Sequence, residues 1–250
     1  MRAILTYHSI DKTGSVISVS PDVFDRQVRW LASSRVAVVS LTDLLQVPED
    51  QDAVALTFDD AYANFASEAW PRLRDHGLTA TVFVPTAFTG KSNDWAELPG
   101  GRMPRLPILD WHTLAKLQEE GVSLGAHSRH HPDLRGLSGQ ELHDEIAGSV
   151  EDIRRETGAQ AAAFSYPYGF WTQATVAAVR RTCACAVTTE LRALSRHDDP
   201  CLLPRLDSYY LNGTARLENF GRLNFRGYLR LRLALRTLRQ RMRRRRRRAS

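Results

Sequence analysis

The chain has 250 residues, of which 43% are hydrophobic and 25% charged, an ordinary composition for a globular protein with a sizeable core. No stretch approaches 18 consecutive apolar residues, so the sequence predicts no membrane-spanning helix. The formal net charge of +6 is unevenly distributed, because residues 222–248 hold 13 of the 34 basic residues and no acidic residue. We therefore predict a globular body over residues 1–215 and a basic tail over residues 216–250.

Short apolar stretches alternate with amphipathic ones along the body, which predicts βα units around a parallel sheet. The predicted strands are residues 3–7, 37–41, 53–58, 79–85, 122–126, 161–165, 183–188 and 202–207. The predicted helices are residues 23–33, 42–45, 64–76, 111–120, 138–157 and 171–182.

Several polar residues are placed to begin these helices. Ser20 and Asp110 are predicted N-caps, and Ser138 with Glu141 is predicted to form a capping box. Residues 86–107 are rich in Gly and Pro and have little periodicity. We expect them to form a functional insertion near the mouth of a site.

The cysteines bear on the compartment in which the protein works. There are three of them, Cys183, Cys185 and Cys201, and the N-terminus leads directly into a strand without the apolar region of a signal peptide. An odd number of cysteines without an export signal favours reduced thiols and a cytoplasmic location. Cys183 and Cys185 could form a metal or redox pair, but their apolar surroundings favour simple burial.

Two adjacent carboxylates, Asp59 and Asp60, follow the apolar strand at residues 53–58. Adjacent residues on a strand point to opposite faces, so these two can share a site only where the strand ends. Strand ends are where α/β enzymes place their chemistry. The alternative is a solvated turn that opens the next helix.

Two histidines, His127 and His131, follow the predicted strand at residues 122–126. They are four residues apart, so one helical turn would place both rings on the same side. Two imidazoles and one carboxylate suit zinc or another divalent transition metal, with positions left for water. The alternative for each histidine is an ordinary surface or core residue.

Three motifs together resemble the polysaccharide deacetylase family, which is carbohydrate esterase family 4 or the NodB-like deacetylases. They are Thr-Phe-Asp-Asp at residues 57–60, His-Ser-Arg-His-His at 127–131 and Phe-Ser-Tyr-Pro-Tyr-Gly at 164–169. The resemblance covers roughly residues 1–210. It implies an α/β fold, a distorted (β/α) barrel of about seven strands, and hydrolysis of N-acetyl groups on amino sugars.

The resemblance also implies roles for individual residues. Asp60, His127 and His131 would hold the metal, zinc first and nickel or cobalt as alternatives. Asp59 would be the general base, and a backbone N–H near Tyr168 would help to stabilise the oxyanion.

This sequence departs from the family pattern at two positions. The family usually has an Arg where this chain has Ser165, and we predict that Arg205, at the end of the last strand, replaces it. The family also has a Leu-x-x-His near its C-terminus, which is missing here. We predict that His8 is the acid instead, because the first and last strands of a barrel are neighbours and one branch of the family has a Tyr-His after its first strand. His8 could alternatively be merely packed, and His197 is the next candidate.

The tail carries one apolar helical stripe formed by residues at spacings of three and four, namely Tyr228, Leu231, Leu235, Leu238 and Met242. Most of its arginines lie off the stripe, and residues 243–248 are six consecutive Arg. A basic amphipathic helix of this kind is typical of an anionic membrane surface, which would make the protein peripheral and its substrate a lipid-linked sugar or nascent glycan. Docking on the barrel is the second alternative, and nucleic acid is the least favoured partner.

Two functional classes therefore remain. One is a metal-dependent carbohydrate N-deacetylase with a C-terminal basic amphipathic helix. The other is a catalytically weakened barrel that serves as a membrane- or nucleic-acid-binding module. The complete Asp-Asp and His-x-x-x-His sets favour the enzyme.

Overall fold

Strands and helices alternate along the chain in the computed structural model, which describes residues 1–96, 103–212 and 216–249. The strands are β1 (Arg2–Tyr7), β2 (Ser9–Ile10), β3 (Ser18–Val19), β4 (Ala37–Val38), β5 (Ala53–Phe58), β6 (Thr81–Val84), β7 (Ser123–Ala126), β8 (Ala163–Ser165), β9 (Cys185–Val187) and β10 (Leu206–Asp207). The α-helices are α1 (Pro21–Ser33), α2 (Leu41–Leu44), α3 (Trp70–Asp75), α4 (Trp111–Glu119), α5 (Gly139–Thr157), α6 (Gln173–Arg180) and α7 (Leu223–Ala249).

The main sheet is parallel and has the order β10-β1-β5-β6-β7-β8-β9, with β4 also paired to β5. Its two ends approach each other, because Leu203 bridges to Val187 of β9 and Leu206 pairs with Leu5 of β1. The sheet is therefore a distorted (β/α) barrel, as predicted, and its first and last strands are neighbours. The carboxyl ends of all these strands lie at one end of the barrel.

Alternating strand residues enter two separate cores. In β1, Leu5 and Tyr7 belong to the larger hydrophobic cluster with the surrounding helices, whereas Ile4 belongs to a smaller cluster on the opposite face. Both faces of β1 and β5 are buried throughout, which explains their continuous apolar sequences. All three cysteines are buried and free.

Some local predictions hold and others need correction. The Ser20 and Asp110 side chains cap α1 and α4 as predicted. Ser138 makes no side-chain capping bond to α5, so the predicted capping box is wrong. The predicted helix at residues 64–76 begins as a π-helical turn, Phe65–Ala69, before α3. Part of the predicted insertion, residues 97–102, lies outside the described residues.

Helix α7 packs on the barrel. Phe225 and Leu229 are buried in the larger cluster, the Tyr228 hydroxyl donates to the Tyr210 carbonyl at 2.8 Å, and Arg236 Nη1 donates to the Thr189 carbonyl at 2.8 Å. The alternative of a tail docked on the barrel is therefore present, and the favoured expectation of a tail that stands apart from the barrel is corrected. The stripe at residues 228–242 does not include the second apolar face, which Phe225 and Leu229 provide. The domain boundary at residue 215 stays a prediction.

Most of the predicted stripe remains open to solvent. Its last four members are exposed by 40–59%: Leu231, Leu235, Leu238 and Met242. None of the described helices, α7 included, is long and apolar enough to cross a bilayer.

Candidate active site

Asp59 and Asp60 come together because the chain turns sharply after β5. Asp60 and Ala61 both have positive φ, 70° and 50°, so the strand does not continue past Asp59. This left-handed turn brings two adjacent carboxylates to the same end of the barrel, and both are buried. The predicted shared site at a strand end is therefore present.

His127 and His131 also meet, although not through a helical turn. Ser128 and His131 have φ of 61° and 55°, and the His131 N–H donates to Ser128 Oγ at 3.0 Å. This tight turn after β7 places the two Nε2 atoms 3.2 Å apart. The prediction of a shared side is confirmed, but its helical explanation is wrong.

Asp60, His127 and His131 form a set that fits a divalent metal. Asp60 Oδ1 lies 3.4 Å from His127 Nε2 and 3.5 Å from His131 Nε2, and the three candidate ligand atoms lie within 4.8 Å of one another. Asp60 Oδ1 is buried and has no hydrogen-bond partner among the described residues. His127 Nδ1 lies 2.7 Å from the Ser165 carbonyl, so it carries the proton and leaves the Nε2 lone pair free.

Burial and the neighbouring charges shift the pKa values of all three residues. Burial raises the pKa of Asp60, but the nearby Nε2 of His127 and the charges of both imidazoles outweigh it and lower this pKa. Burial and the neighbouring His127 lower the pKa of His131 to about 3. Burial would also lower the pKa of His127, yet Asp60 and Asp59 raise it. A metal needs both imidazoles neutral, and its own positive charge would then stabilise the two carboxylates.

Asp59 is clamped by Arg205. Arg205 Nη1 and Nη2 donate to the two Asp59 carboxylate oxygens at 2.7 Å each, and Ser165 Oγ donates to Oδ2 at 3.3 Å. Arg205 is itself fixed by a bond from Nε to the Thr188 carbonyl at 2.9 Å. Burial raises the pKa of Asp59, but the charge of Arg205 leads the effects that bring it below its ordinary value, so Asp59 is ionised. The contact predicted between Arg205 and Asp59 is present.

His8 borders the same carboxylate. Its Nε2 atom lies 3.9 Å from Asp59 Oδ2, too far for a hydrogen bond, and the side chain is 25% exposed. His8 therefore reaches the site from the end of β1, as its position predicted. His197 is exposed and lines a different cavity, beside α7 and Asp199.

Tyr168 lies on the other side of the metal set. Its φ is +60°, an unusual conformation for a residue other than Gly, and its ring contacts the His131 ring with centroids 4.7 Å apart. Position 169 requires a glycine, because a Cβ on Gly169 would lie 2.2 Å from Thr189 Oγ1. The loop after β8 is thus tightly constrained where Tyr168 faces the site.

The sequence reasoning missed two neighbours of His131. The Trp95 ring packs on the His131 ring with centroids 4.9 Å apart. Glu145 of α5 accepts the backbone N–H groups of Arg129 and His130 at 2.9 Å each, which holds the turn between the two histidines. The sequence offered one signal for this contact, which was that Glu145 lies on the apolar face of a predicted helix.

The barrel and these residues define a carbohydrate deacetylase, a hydrolase that acts on N-acetyl amide bonds. The chain belongs to the polysaccharide deacetylase family, whose family model matches residues 46–184. Asp59, Asp60, His127 and His131 all lie within the matched residues.

Known proteins of this kind match most or part of the chain. YxkH of Bacillus subtilis (strain 168), a protein assigned to the polysaccharide deacetylases, is 27% identical over 209 residues, which cover 81% of this chain and 70% of YxkH. A chitin deacetylase of Colletotrichum lindemuthianum is 29% identical over 115 residues, 46% of this chain and 41% of that protein. The Streptococcus pyogenes deacetylase PplD, solved with acetate, superposes with a TM-score of 0.70 at 23% identity, over 82% of this chain and 91% of PplD, which supports the fold.

Proposed function

We propose that the protein is a metal-dependent hydrolase that removes an N-acetyl or related N-acyl group from an amino sugar in a glycan or lipid-linked saccharide. One observation carries the proposal. The unpartnered Asp60 Oδ1 faces the Nε2 atoms of His127 and His131, directly beside the ionised Asp59. This complete set favours an enzyme over a barrel that only binds.

A divalent transition metal held by Asp60, His127 and His131 would polarise the amide carbonyl and lower the pKa of a bound water. The mixed nitrogen and oxygen donors suit zinc, and nickel or cobalt are the alternatives. The remaining steps belong to residues of this chain.

Asp59 is placed to take a proton from the attacking water. Its carboxylate is ionised, and Oδ1 keeps a lone pair beyond the one that Arg205 occupies, whereas Oδ2 accepts from both Arg205 and Ser165. Water oxygen then bonds to the acyl carbon, and the bond from that carbon to nitrogen breaks. His8 gives a proton to the departing amine, and the Tyr168 backbone N–H donates to the oxyanion. The products are acetate and a free amino sugar.

Exposed aromatic side chains beside the site support a saccharide substrate. Tyr168, Phe170 and Trp171 are exposed by 40–47%, and Arg135 lies over the Phe170 ring at 3.9 Å. Flat rings of this kind offer apolar area together with a polar rim. A relative named chitin deacetylase points to the same class of substrate.

A panel of N-acetylhexosamines tests the proposal. Acetate release would be measured from neutral glycosides, nucleotide-linked sugars and lipid-linked sugars, with and without a chelator. We expect release from at least one substrate, loss of release in chelator and its return when zinc is added. Activity that is unaffected by the chelator would remove the metal from the proposal, and no release from any member would contradict the activity.

The outer face of α7 supports an association with an anionic membrane surface. Leu231, Leu235, Leu238 and Met242 are exposed on a helix whose sequence is rich in Arg, although the inner face is docked on the barrel. Burial of such a stripe at the acyl boundary, with basic residues at the head groups, is the physics of interfacial helices. The free state of all three cysteines supports a location on the cytoplasmic side.

Vesicle sedimentation tests this association. The wild type should sediment with vesicles that contain anionic lipid at about 0.15 M salt and not with neutral vesicles. Leu235→Gln/Leu238→Gln should reduce sedimentation strongly. Leu223→Gln is the matched control, since Leu223 is 87% exposed on the same helix but lies outside the stripe. A wild type that stays in the supernatant would remove the membrane association.

A further inference from the structure

A groove of about 530 Å³ runs from His8 to helix α7. It is lined by Asp207 at the end of β10 and Tyr209 just after it, together with Arg232, Leu235 and Arg236 from α7. The proposed general acid and two arginines thus line the same groove. Whatever is attached to the reacting amino sugar on the His8 side would lie along it.

Neither of these two arginines has an acidic partner among the residues that the structure describes. No carboxylate among the described residues forms an ion pair with Arg232 or Arg236, although most arginines around the barrel have one. Arg232 Nε donates to the Tyr228 hydroxyl at 3.1 Å, and Arg236 Nη1 donates to the Thr189 carbonyl at 2.8 Å. The Arg232 guanidinium also lies over the Tyr228 ring at 5.3 Å and over the Tyr210 ring at 5.9 Å. All these contacts are with neutral groups, so both side chains are held in place while other N–H groups of their planar forks stay available.

The spacing of this pair suits an anion. Arg232 and Arg236 are four residues apart, so they lie on the same side of α7 about one turn apart. Both are half-buried against the barrel, which keeps their long side chains ordered. Guanidinium groups with free N–H pairs recognise phosphate through two parallel hydrogen bonds.

Asp207 is the acidic residue among those that line the groove, and it restricts where an anion could bind. The Asp207 carboxylate accepts the Tyr209 backbone N–H at 2.9 Å and lies at the end of β10, while both arginines are on α7. It would repel an anion placed beside it. The favourable position for negative charge is therefore the α7 side of the groove.

We infer that this groove is a subsite for a phosphate or diphosphate group joined to the amino sugar, with Arg232 and Arg236 as its ligands. The inference rests on the proposed function, because His8 sets where the amino group lies. Tyr209, which is 53% exposed, offers a ring face to whatever joins the sugar to the phosphate. Leu235 belongs both to this groove and to the exposed stripe, so an apolar group beyond the phosphate would follow the outer face of α7.

Binding of inorganic pyrophosphate tests the subsite without any turnover. The wild type should bind pyrophosphate in calorimetry, and Arg232→Gln/Arg236→Gln should weaken that binding by about tenfold or more, the scale expected when charge-assisted hydrogen bonds are lost. Arg230→Gln is the matched control, because Arg230 is on the same helix but lines a different cavity with Arg2 and Glu49. Pyrophosphate binding that is absent from the wild type, or equally strong in the double variant, would overturn the inference.

Measurements of kcat/KM separate this inference from the proposed function. We expect the ratio of kcat/KM for an N-acetylhexosamine 1-phosphate to that for its neutral methyl glycoside to fall about tenfold in Arg232→Gln/Arg236→Gln and to stay unchanged in Arg230→Gln. An unchanged ratio in the double variant would overturn the subsite while leaving the deacetylase intact. Acetate release from neither substrate, with pyrophosphate binding retained, would contradict the activity and leave the anion subsite standing. Comparison of nucleotide-linked with lipid-linked diphosphate sugars then identifies the source of the phosphate, and faster turnover of either one supports the subsite.

Discussion

Arg205 is the principal partner of the Asp59 carboxylate. It holds both oxygens at 2.7 Å from a position just before β10, 146 residues further along the chain. A lysine at position 205 would keep the positive charge but lose the two-pronged geometry. The proposed base would then be less well oriented and easier to protonate.

Arg205→Lys should therefore lower kcat/KM by about tenfold to a hundredfold, which corresponds to the roughly 1.5–3 kcal/mol of a hydrogen bond to a charged group. Arg205 lowers the pKa of Asp59, so its loss raises that pKa and moves the acid side of the pH profile to higher pH. The kcat/KM profile between about pH 4 and 8 is the measurement. Arg180→Lys, at the exposed pair with Asp199, is the control. An acid limb that does not move would show that Arg205 does not tune the base.

His8 is expected to act on the leaving group. His8→Ala should lower kcat on an amide by about 10²–10⁴, the usual range for general acid catalysis. The loss should be much smaller on an aryl acetate, since a phenolate departs without needing a proton. His197→Ala should have little effect on either substrate. A normal amide kcat in His8→Ala would assign the acid to another residue.

The site residues could be predicted where the residues next to them in the sequence showed a recognisable pattern. Asp59, Asp60, His127 and His131 each follow an apolar strand. Arg205 was placed at the end of a strand predicted over residues 202–207, but β10 is only Leu206–Asp207, so Arg205 reaches Asp59 from just before that strand. Trp95 and Glu145 could not be predicted, because their relation to His131 depends on how a loop and a helix pack across the barrel.

Helix α5 supports the turn that carries the two histidines. The Asp152 carboxylate accepts Arg129 Nε at 2.7 Å, Arg129 Nη2 at 2.9 Å and Thr86 Oγ1 at 2.8 Å. Gly148 allows this close approach, because a Cβ there would lie 2.5 Å from Arg129 Cζ. The loop from His127 to His131 is thus fastened to α5 through Arg129.

Asp152→Asn should reduce the free energy of unfolding by about 1–3 kcal/mol, since it weakens a buried charged network. Burial raises the pKa of Asp152, but its hydrogen bonds from Arg129 and Thr86 prevail and lower it. Its contribution is therefore present above the ordinary carboxylate pKa of about 4 and is lost as the pH falls further. Urea unfolding at pH 7 and pH 3 should show a difference from wild type that shrinks at pH 3. Glu151→Gln, at the neighbouring exposed position, should be neutral, and an equal loss there would contradict a specific role for Asp152.

Helix α7 has two faces with different roles. A chain that ends at Gly221 should unfold at a temperature lower by about 5 °C or more, because it exposes the surface that Phe225 and Leu229 cover. A chain that ends at Thr237 keeps that contact and should melt close to the wild type. Thermal unfolding of the two truncations is the measurement. Equal melting temperatures would show that α7 does not stabilise the barrel.

Sequence patterns predicted which helices exist better than they predicted where those helices end and what they contact. The 3.6-residue period identified α1, α4 and α7, and the side chains of Ser20 and Asp110 cap the first two. The π-helical turn at Phe65–Ala69 and the positive φ values at Ser128 and His131 carry no comparable signal, because tertiary contacts fix them. For the tail, the apolar stripe favoured a membrane surface over docking on the barrel, because the stripe does not include Phe225 and Leu229, through which α7 docks.

On the scale of the whole molecule, the basic helix α7 lies beside the candidate active site. The strands end at the site, the groove leads from His8 to α7, and α7 exposes Leu235 and Leu238 beyond it. Arg236 contacts Thr189, the residue next to the carbonyl that holds Arg205. The basic helix is therefore adjacent to the catalytic end of an acidic barrel, which the uneven net charge suggested but could not locate.

The most direct test of the central claim separates metal binding from catalysis in one variant. Asp59→Asn should bind about one zinc ion per chain, as the wild type does, and release no acetate from a substrate that the wild type turns over, because it removes the base and no ligand. His131→Ala is the reference, since it should lose the metal. Zinc content by elemental analysis, with acetate release on the same samples, decides the outcome. Wild-type activity in Asp59→Asn, or equal zinc content in His131→Ala and the wild type, would contradict the account.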